Sequence, residues 1–157
     1  MDLKKYIRSI PDYPKKGILF RDITTLIKDK DAFKECIDQM SNLLTKLKFD
    51  KIASIESRGF VFASALCYNL SKSLILMRKK NKLPADRYSQ EFELEYGKAT
   101  IEIHKDSIQP KEQILIIDDF LLDFNFRREG KFYEEVMGAV FLFLKKKTVF
   151  FTQFLRD

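Results

Sequence analysis

The sequence predicts an α/β fold, a parallel sheet flanked by helices that carries one antiparallel hairpin. Three observations lead there. Short β-rich apolar runs, KIASI (51–55), LILM (74–77) and ILII (114–117), alternate with stretches of helical apolar spacing. FELEY (92–96) and TIEIHK (100–105) alternate in period two around a Gly97 turn, as a hairpin does. The ILII run ends in two adjacent carboxylates, Asp118 and Asp119. In α/β sheets ligands bind beyond such strand C-termini.

Taken in order, LKKYIRSI (3–10) reads as a short amphipathic helix with Leu3, Ile7 and Ile10 on one side, stopped by the prolines of PDYPKKG. ILFRDIT then runs into a helix over residues 31–48. There Phe33, Cys36, Ile37, Met40, Leu43, Leu44 and Leu47 recur at helical spacing, and Asp29 or Asp31 serves as the cap. After KIASI come ESRG and an apolar helix over residues 60–70. LILM leads into the polar stretch RKKNKLPADRYSQ and then the hairpin. ILII reads as a buried strand, and VMGAVFLF (136–143) and TVFFTQFL (148–155) as further strands.

At 157 residues and 45% hydrophobic content the chain has enough apolar material for one packed domain. No apolar run reaches the roughly 18–20 residues of a membrane span, and the N-terminus has no signal-peptide core. Cys36 and Cys67 sit far apart among apolar residues and read as buried free thiols, the pattern of a cytoplasmic protein. The single histidine and the cysteine spacing exclude a zinc site of ordinary type. The net charge of +6 suits an anionic ligand, and no helix-turn-helix or RNA-binding signature directs it to nucleic acid.

Chemistry-bearing residues gather at the strand ends. Glu56-Ser57-Arg58-Gly59 follows KIASI, Arg78-Lys79 follows LILM, Glu95-Tyr96 ends FELEY, and Asp118-Asp119 follows ILII. A parallel sheet brings such ends to one edge. In ESRG, backbone N–H groups at a helix start and the planar fork of Arg58 suit a phosphate; a Ser57 helix cap beside an exposed arginine is the other reading. RKKNKLPADRY is either a solvated surface loop or a mobile basic lid over an anion. Asp118 and Asp119 suit ribose hydroxyls, or Mg²⁺ through water, or one acid caps the next helix. Phe20 reads as core or as a stacking surface for a base. His104, alternating with Ile101 and Ile103, reads as a solvent-facing strand residue.

IRSIPDYPKKGILFRDIT, ESRGF, RKKNKLP, LEYGKATIEIHKD and ILIIDD occur in this order from about Ile7 to Phe120. Together they make the chain resemble the adenine phosphoribosyltransferases. The resemblance implies a type I phosphoribosyltransferase fold in a single domain spanning 1–157, with a small N-terminal hood over residues 1–28. It implies transfer of ribose 5-phosphate from phosphoribosyl pyrophosphate to adenine, giving AMP and pyrophosphate, by a cytoplasmic homodimer in purine salvage. Mg²⁺ is then held mainly by substrate and water, with no direct protein ligand. Leu19, Phe20 and Arg21 match the segment that recognises adenine. Glu56, Ser57 and Arg58 match the pyrophosphate loop, with the Glu56–Ser57 peptide cis, and Arg78, Lys79 and Lys82 match the basic groups of the flexible loop region that also bind pyrophosphate. Glu95 matches the acid that handles the adenine proton. Arg58 and Lys79 stand with it as catalytic, and Asp118 and Asp119 match the ribose pair.

The match breaks after Phe120. The family continues into Ala-Thr-Gly-Gly-Thr, a loop whose backbone N–H groups wrap the 5′-phosphate. This chain has LLDFNFRREG (121–130) there, with Asp123 where a phosphate dianion should sit, and the region of about 120–157 is atypical, although VMGAVFLF (136–143) again fits the family strand that follows the phosphate-binding helix. Three readings stay open: phosphate binding by Arg127 and Arg128, a non-catalytic purine-nucleotide-binding homologue, and a disrupted reading frame across codons 120–131.

Overall fold

The computed structural model of the chain describes residues 1–94 and 97–117. It begins with a 3-10 turn, Leu3–Tyr6, capped by the Asp2 carboxylate, which accepts the Lys4 N–H at 3.2 Å. Strand β1 (Arg8–Pro11) then pairs antiparallel with β2 (Leu19–Asp22), placing Arg8 opposite Asp22 and Pro11 opposite Leu19. The helix expected over residues 3–10 therefore ends after Tyr6. So short a helix gains too few bonds to offset its nucleation, whereas the strand takes its partners from β2. In the connection, Tyr13–Pro14 is cis and Gly17 has φ +89°. The Gly17 N–H donates to the Asp12 carboxylate at 2.7 Å. A side chain at Gly17 would be strained by that φ alone.

Asp22 closes this hairpin onto the next element. Its carboxylate accepts the Thr24 hydroxyl at 2.7 Å and the Thr24 N–H at 2.9 Å, and it pairs with the Arg8 guanidinium. The Thr24 hydroxyl, followed by Arg8, holds the Asp22 carboxyl down at about 2 from its ordinary 3.8. A depressed carboxyl stabilises the fold above its ordinary value and loses that contribution as pH falls toward the folded one. The stability advantage of the native protein over Asp22→Asn should thus be complete above about pH 5, shrink as the pH falls through 3.8 and be largely lost near pH 2. Melting curves of the two proteins from pH 2 to 6 check this; a gap that stays constant across the range contradicts it.

Helix α1 (Thr24–Lys28) is followed by α2 (Lys30–Leu44). Asp29 caps α2, accepting the N–H groups of Asp31 at 3.1 Å and Ala32 at 2.9 Å, so of the two expected caps Asp29 is the one used. Such a cap contributes about 1 kcal/mol. The helix ends at Leu44, short of residue 48, though Leu47 still packs against the core.

Among the described residues the main sheet holds five strands in the order β5-β6-β4-β3-β7. These are β3 (Lys51–Ile55), β4 (Ser73–Lys79), β5 (Arg87–Leu94), β6 (Gly97–His104) and β7 (Ile114–Ile117). β3 lies parallel to β4 and to β7, with Ser54 in register with Leu76 and Ile117. β5 and β6 form the expected antiparallel hairpin, with Leu94 opposite Gly97. Between β3 and β4 runs α3 (Gly59–Leu70), ended by Ser71 in the left-handed conformation. The expected strands at 136–143 and 148–155 lie outside the described residues.

Side-chain alternation gives the sheet two apolar faces. Ile52, Leu115 and Ile117 join Cys36, Met40, Phe62 and Leu66 in one cluster between sheet and helices. Ala53, Ile75, Met77, Ile101, Ile103 and Ile114 are buried on the opposite face. Both cysteines are buried free thiols, and burial pushes the Cys36 thiol up to about 11 and the Cys67 thiol up as well. Neither is a ready nucleophile. Among the described residues no helix is long and apolar enough to cross a membrane.

Candidate active site

The parallel register sets the site. Ile55 stands beside Met77, so the chain leaves β3 next to the end of β4, and the Glu56 N–H donates to the Met77 carbonyl at 2.9 Å. On the far side, the buried Ser54 hydroxyl donates to the Ile117 carbonyl at 2.7 Å, tying β3 to the last residue of β7. Three strand ends are thereby held at one edge. Ser54 was not singled out by sequence; its only signal is a hydroxyl among the apolar residues Ile52, Ala53 and Ile55.

The Glu56–Ser57 peptide is cis, as the resemblance implies. Ser57 is exposed and Arg58 half-buried. Arg58 is the first flanking residue of α3, and no side chain among the described residues caps that helix. The capping role considered for Ser57 is therefore not the one it has. The helix starts with Phe60 and Val61 donating to the carbonyls of Ser57 and Arg58 at 3.2 and 3.4 Å. A helix start without a side-chain cap offers backbone donors and the positive end of the dipole to an anion.

The Arg58 guanidinium lies 5.1 Å from the centre of the Phe20 ring. Phe20 in turn meets Tyr13 edge-on at 5.1 Å. Phe20 is thus half-buried at the site rather than in the core, and Leu19 beside it is 52% exposed. Arg21 points to the other side of the hairpin contact, where it donates to the Ser9 hydroxyl. Of the adenine-segment residues, Phe20 is the one brought onto the loop of Ser57 and Arg58.

Glu56 has a second task. Its carboxylate accepts the Lys79 N–H at 2.9 Å and the Arg78 guanidinium at 3.3 Å. The Lys79 amide, against the opposing effect of burial and with help from Arg78, holds the Glu56 carboxyl below the usual range. Arg78 also donates to the Lys82 carbonyl at 3.4 Å, and its Nε is buried with no hydrogen-bond partner among the described residues. Buried donors are nearly always paired. Lys79 and Lys82 are exposed, and Lys82 closes a turn on the Lys79 carbonyl at 3.2 Å.

The stretch RKKNKLPADRY, read as a solvated loop or a basic lid, is a shorter connection than its sequence suggests, and within residues 80–86 all but Leu83 are exposed. β4 runs to Lys79 and β5 starts at Arg87, so only residues 80–86 connect them. Those residues are tied down: Arg87 donates to the Leu83 carbonyl at 3.1 Å, the Lys105 N–H to the Asp86 carbonyl at 3.0 Å, and the Ala85 N–H to His104 Nε2 at 3.4 Å. His104 is half-buried, not solvent-facing, for this reason. Beyond the turn, β6 meets β4 at Arg78↔Glu102 and Lys79↔Ile101. Residues 97–100 of β6 run on past Lys79, about 13 Å at the usual rise per residue. The hairpin therefore overhangs the strand ends. Glu95, Asp118, Asp119 and the segment 120–130 lie outside the described residues.

A curated adenine phosphoribosyltransferase of Pelagibacter ubique is 69% identical to the chain over 121 residues, covering 77% of this chain and 69% of the relative. The chain belongs to the adenine phosphoribosyltransferase family. Among solved structures, the adenine phosphoribosyltransferase of Thermoanaerobacter pseudethanolicus matches with a TM-score of 0.71 at 46% identity, over 73% of this chain and 67% of that one. The Saccharomyces cerevisiae adenine phosphoribosyltransferase, solved with an imino-altritol bisphosphate and adenine, matches with a TM-score of 0.68 at 31% identity over 73% and 68%. No family model matches the chain. The adenine phosphoribosyltransferase homologue thus has the type I phosphoribosyltransferase fold expected from its sequence, a mixed five-stranded sheet with helices and a separate N-terminal hairpin.

Proposed function

We propose that the chain transfers the 5-phosphoribosyl group of phosphoribosyl pyrophosphate to N9 of adenine, giving AMP and pyrophosphate in purine salvage. The contact that carries this reading is Arg58 over Phe20 at 5.1 Å, which joins the segment suited to a flat base to the loop suited to a diphosphate. The bond between C1′ and the diphosphate oxygen breaks, the N9–C1′ bond forms, and the N9 proton leaves to a base, for which Glu95 is the candidate. Charge develops at both ends of the breaking bond. Arg58, Arg78, Lys79 and Lys82 stabilise the departing diphosphate, and Asp118 and Asp119 favour the ribose as it becomes cationic. Mg²⁺ would accompany the donor as its counter-ion and offset the charge of the departing diphosphate. Glu56 orients Arg78 and the Lys79 backbone through its two contacts rather than meeting the diphosphate with its own charge.

The same reading makes the protein a cytoplasmic homodimer. Val61 and Tyr68, seven residues apart on one side of α3 and 40% and 91% exposed, offer apolar surface for a second copy.

The test is AMP formation from adenine and phosphoribosyl pyrophosphate with Mg²⁺, with Glu95→Ala as control. Turnover that falls about 10²-fold or more in the control supports the reading and the role of Glu95 as base. Folded native protein that binds AMP and pyrophosphate but makes no AMP replaces it with a non-catalytic nucleotide-binding protein.

A further inference from the structure

Glu102 is a buried carboxylate, and the isoleucines on either side of it in β6 point to the opposite face of the sheet. It lies on β6 between Ile101 and Ile103, which are 4% and 1% exposed, and is itself 2% exposed. Burying a carboxylate is costly, and an apolar residue of similar size is often at least as stabilising. What Glu102 has in return is a set of donors from two other segments. Its Oε2 accepts the Asn81 backbone N–H at 2.9 Å, and its Oε1 accepts the Ser89 hydroxyl and Arg87 Nε, each at 3.1 Å. Desolvation opposes its ionisation, but the Asn81 amide, Ser89 and Arg87 outweigh it and keep the carboxyl below the usual range.

The Asn81 contact matters most. Asn81 has φ +64°, in the left-handed region, and is the residue at which the chain reverses after β4. An asparagine tolerates that conformation, but nothing in the local sequence compels it. The same short stretch carries Lys79, Lys80 and Lys82, whose mutual repulsion favours a more open turn. Glu102 opposes this twice, by taking the Asn81 N–H directly and by fixing Arg87, which donates to the Leu83 carbonyl at 3.1 Å. Glu102 also stands opposite Arg78 in the sheet register, so it clamps the turn where β4 delivers Arg78 and Lys79.

We propose that Glu102 is a positioning residue that holds the Lys79–Lys82 turn in the one shape that presents its lysines to the diphosphate end of the donor. The proposal rests on the phosphoribosyltransferase reading and assigns Glu102 no contact with substrate. It predicts a particular split. Neutralising Glu102 weakens binding of the diphosphate-bearing ligand and leaves the base and the chemical step alone.

The experiment uses the full chain and Glu102→Gln, which keeps the shape and removes the charge. Three quantities are read: amide exchange across residues 79–83 in the ligand-free protein, calorimetric affinity for Mg²⁺-pyrophosphate, and steady-state kinetics. Expected are faster exchange at Asn81, pyrophosphate affinity and the KM for phosphoribosyl pyrophosphate both weakened about 10-fold, and kcat and the KM for adenine within about 2-fold. Should Glu102→Gln not fold, Arg87→Gln is read in the same way; Arg87 is 34% exposed and its loss is better tolerated. Unchanged pyrophosphate affinity overturns the proposal, as does an equal loss of affinity for adenine and pyrophosphate that follows the melting temperature. Native protein that makes no AMP, yet binds pyrophosphate with this dependence on Glu102, sinks the catalytic reading and leaves the proposal standing. Native protein that does not bind pyrophosphate overturns both.

Discussion

Replacing Arg58 with alanine should lower kcat/KM for phosphoribosyl pyrophosphate by about 10²- to 10³-fold, the usual loss when one preorganised donor to a developing anion is removed. The guanidinium is fixed on the ring of Phe20 at 5.1 Å and carried on the first residue flanking α3, so little reorganisation is needed when the diphosphate departs. The stacking itself contributes about 0.5–1 kcal/mol at a half-exposed site, so the KM for adenine should also rise, by about 2- to 5-fold. Arg58→Lys separates the two effects. It keeps the charge, loses the planar fork, and should recover only part of the rate. Coupled measurement of pyrophosphate release under varied concentrations of each substrate gives both constants. Rates for Arg58→Ala within about 3-fold of native, less than any transition-state contact of this kind supplies, remove Arg58 from the proposed site.

The largest effect on stability should come from Phe62→Ala. Phe62 is fully buried in α3, edge-on to Phe33 of α2 at 5.7 Å, and belongs to the cluster joining both helices to β3 and β7. Truncating a buried phenylalanine costs about 3–5 kcal/mol, the lost transfer energy plus the cavity left behind. In a domain of this size that lowers the melting temperature by roughly 6–20 °C. The loss reaches function because Ser57 and Arg58 stand directly before α3. Phe62→Leu fills most of the space and should recover most of the stability. A melting temperature within about 2 °C of native for Phe62→Ala, under 1 kcal/mol, means that the packing around Phe62 does not join α2 and α3.

The parts of this fold that were legible in the sequence are those made by local periodicity. Cys36, Ile37, Met40 and Leu44 are spaced for one helical face, and all are buried on it. KIASI, LILM and ILII are the three parallel strands, and the position of Glu56 and Arg78 at their common edge followed from that alone. Elements fixed by distant partners were not legible. Strands β1 and β2 have four residues each, too few for alternation to show, and exist because they pair. Glu102 was hidden for a related reason. In IEI the alternation assigns it to solvent, and its donors come from thirteen to twenty-one residues away. The charge run after β4 is exposed, as its composition suggests, but local sequence does not show that Glu56, twenty-three residues upstream of Lys79, takes the Lys79 N–H.

The overhanging hairpin is, mechanically, a cantilever. Its sheet contact consists of Arg78↔Glu102 and Lys79↔Ile101, both at the base, while residues 97–100 and their β5 partners project beyond. A tilt of only about 5° at the base swings a point about 13 Å out by about 1 Å, the size of a hydrogen-bond misfit. Among the described residues, the stiffness felt at the far end is set by the fulcrum, a carboxylate and two arginines.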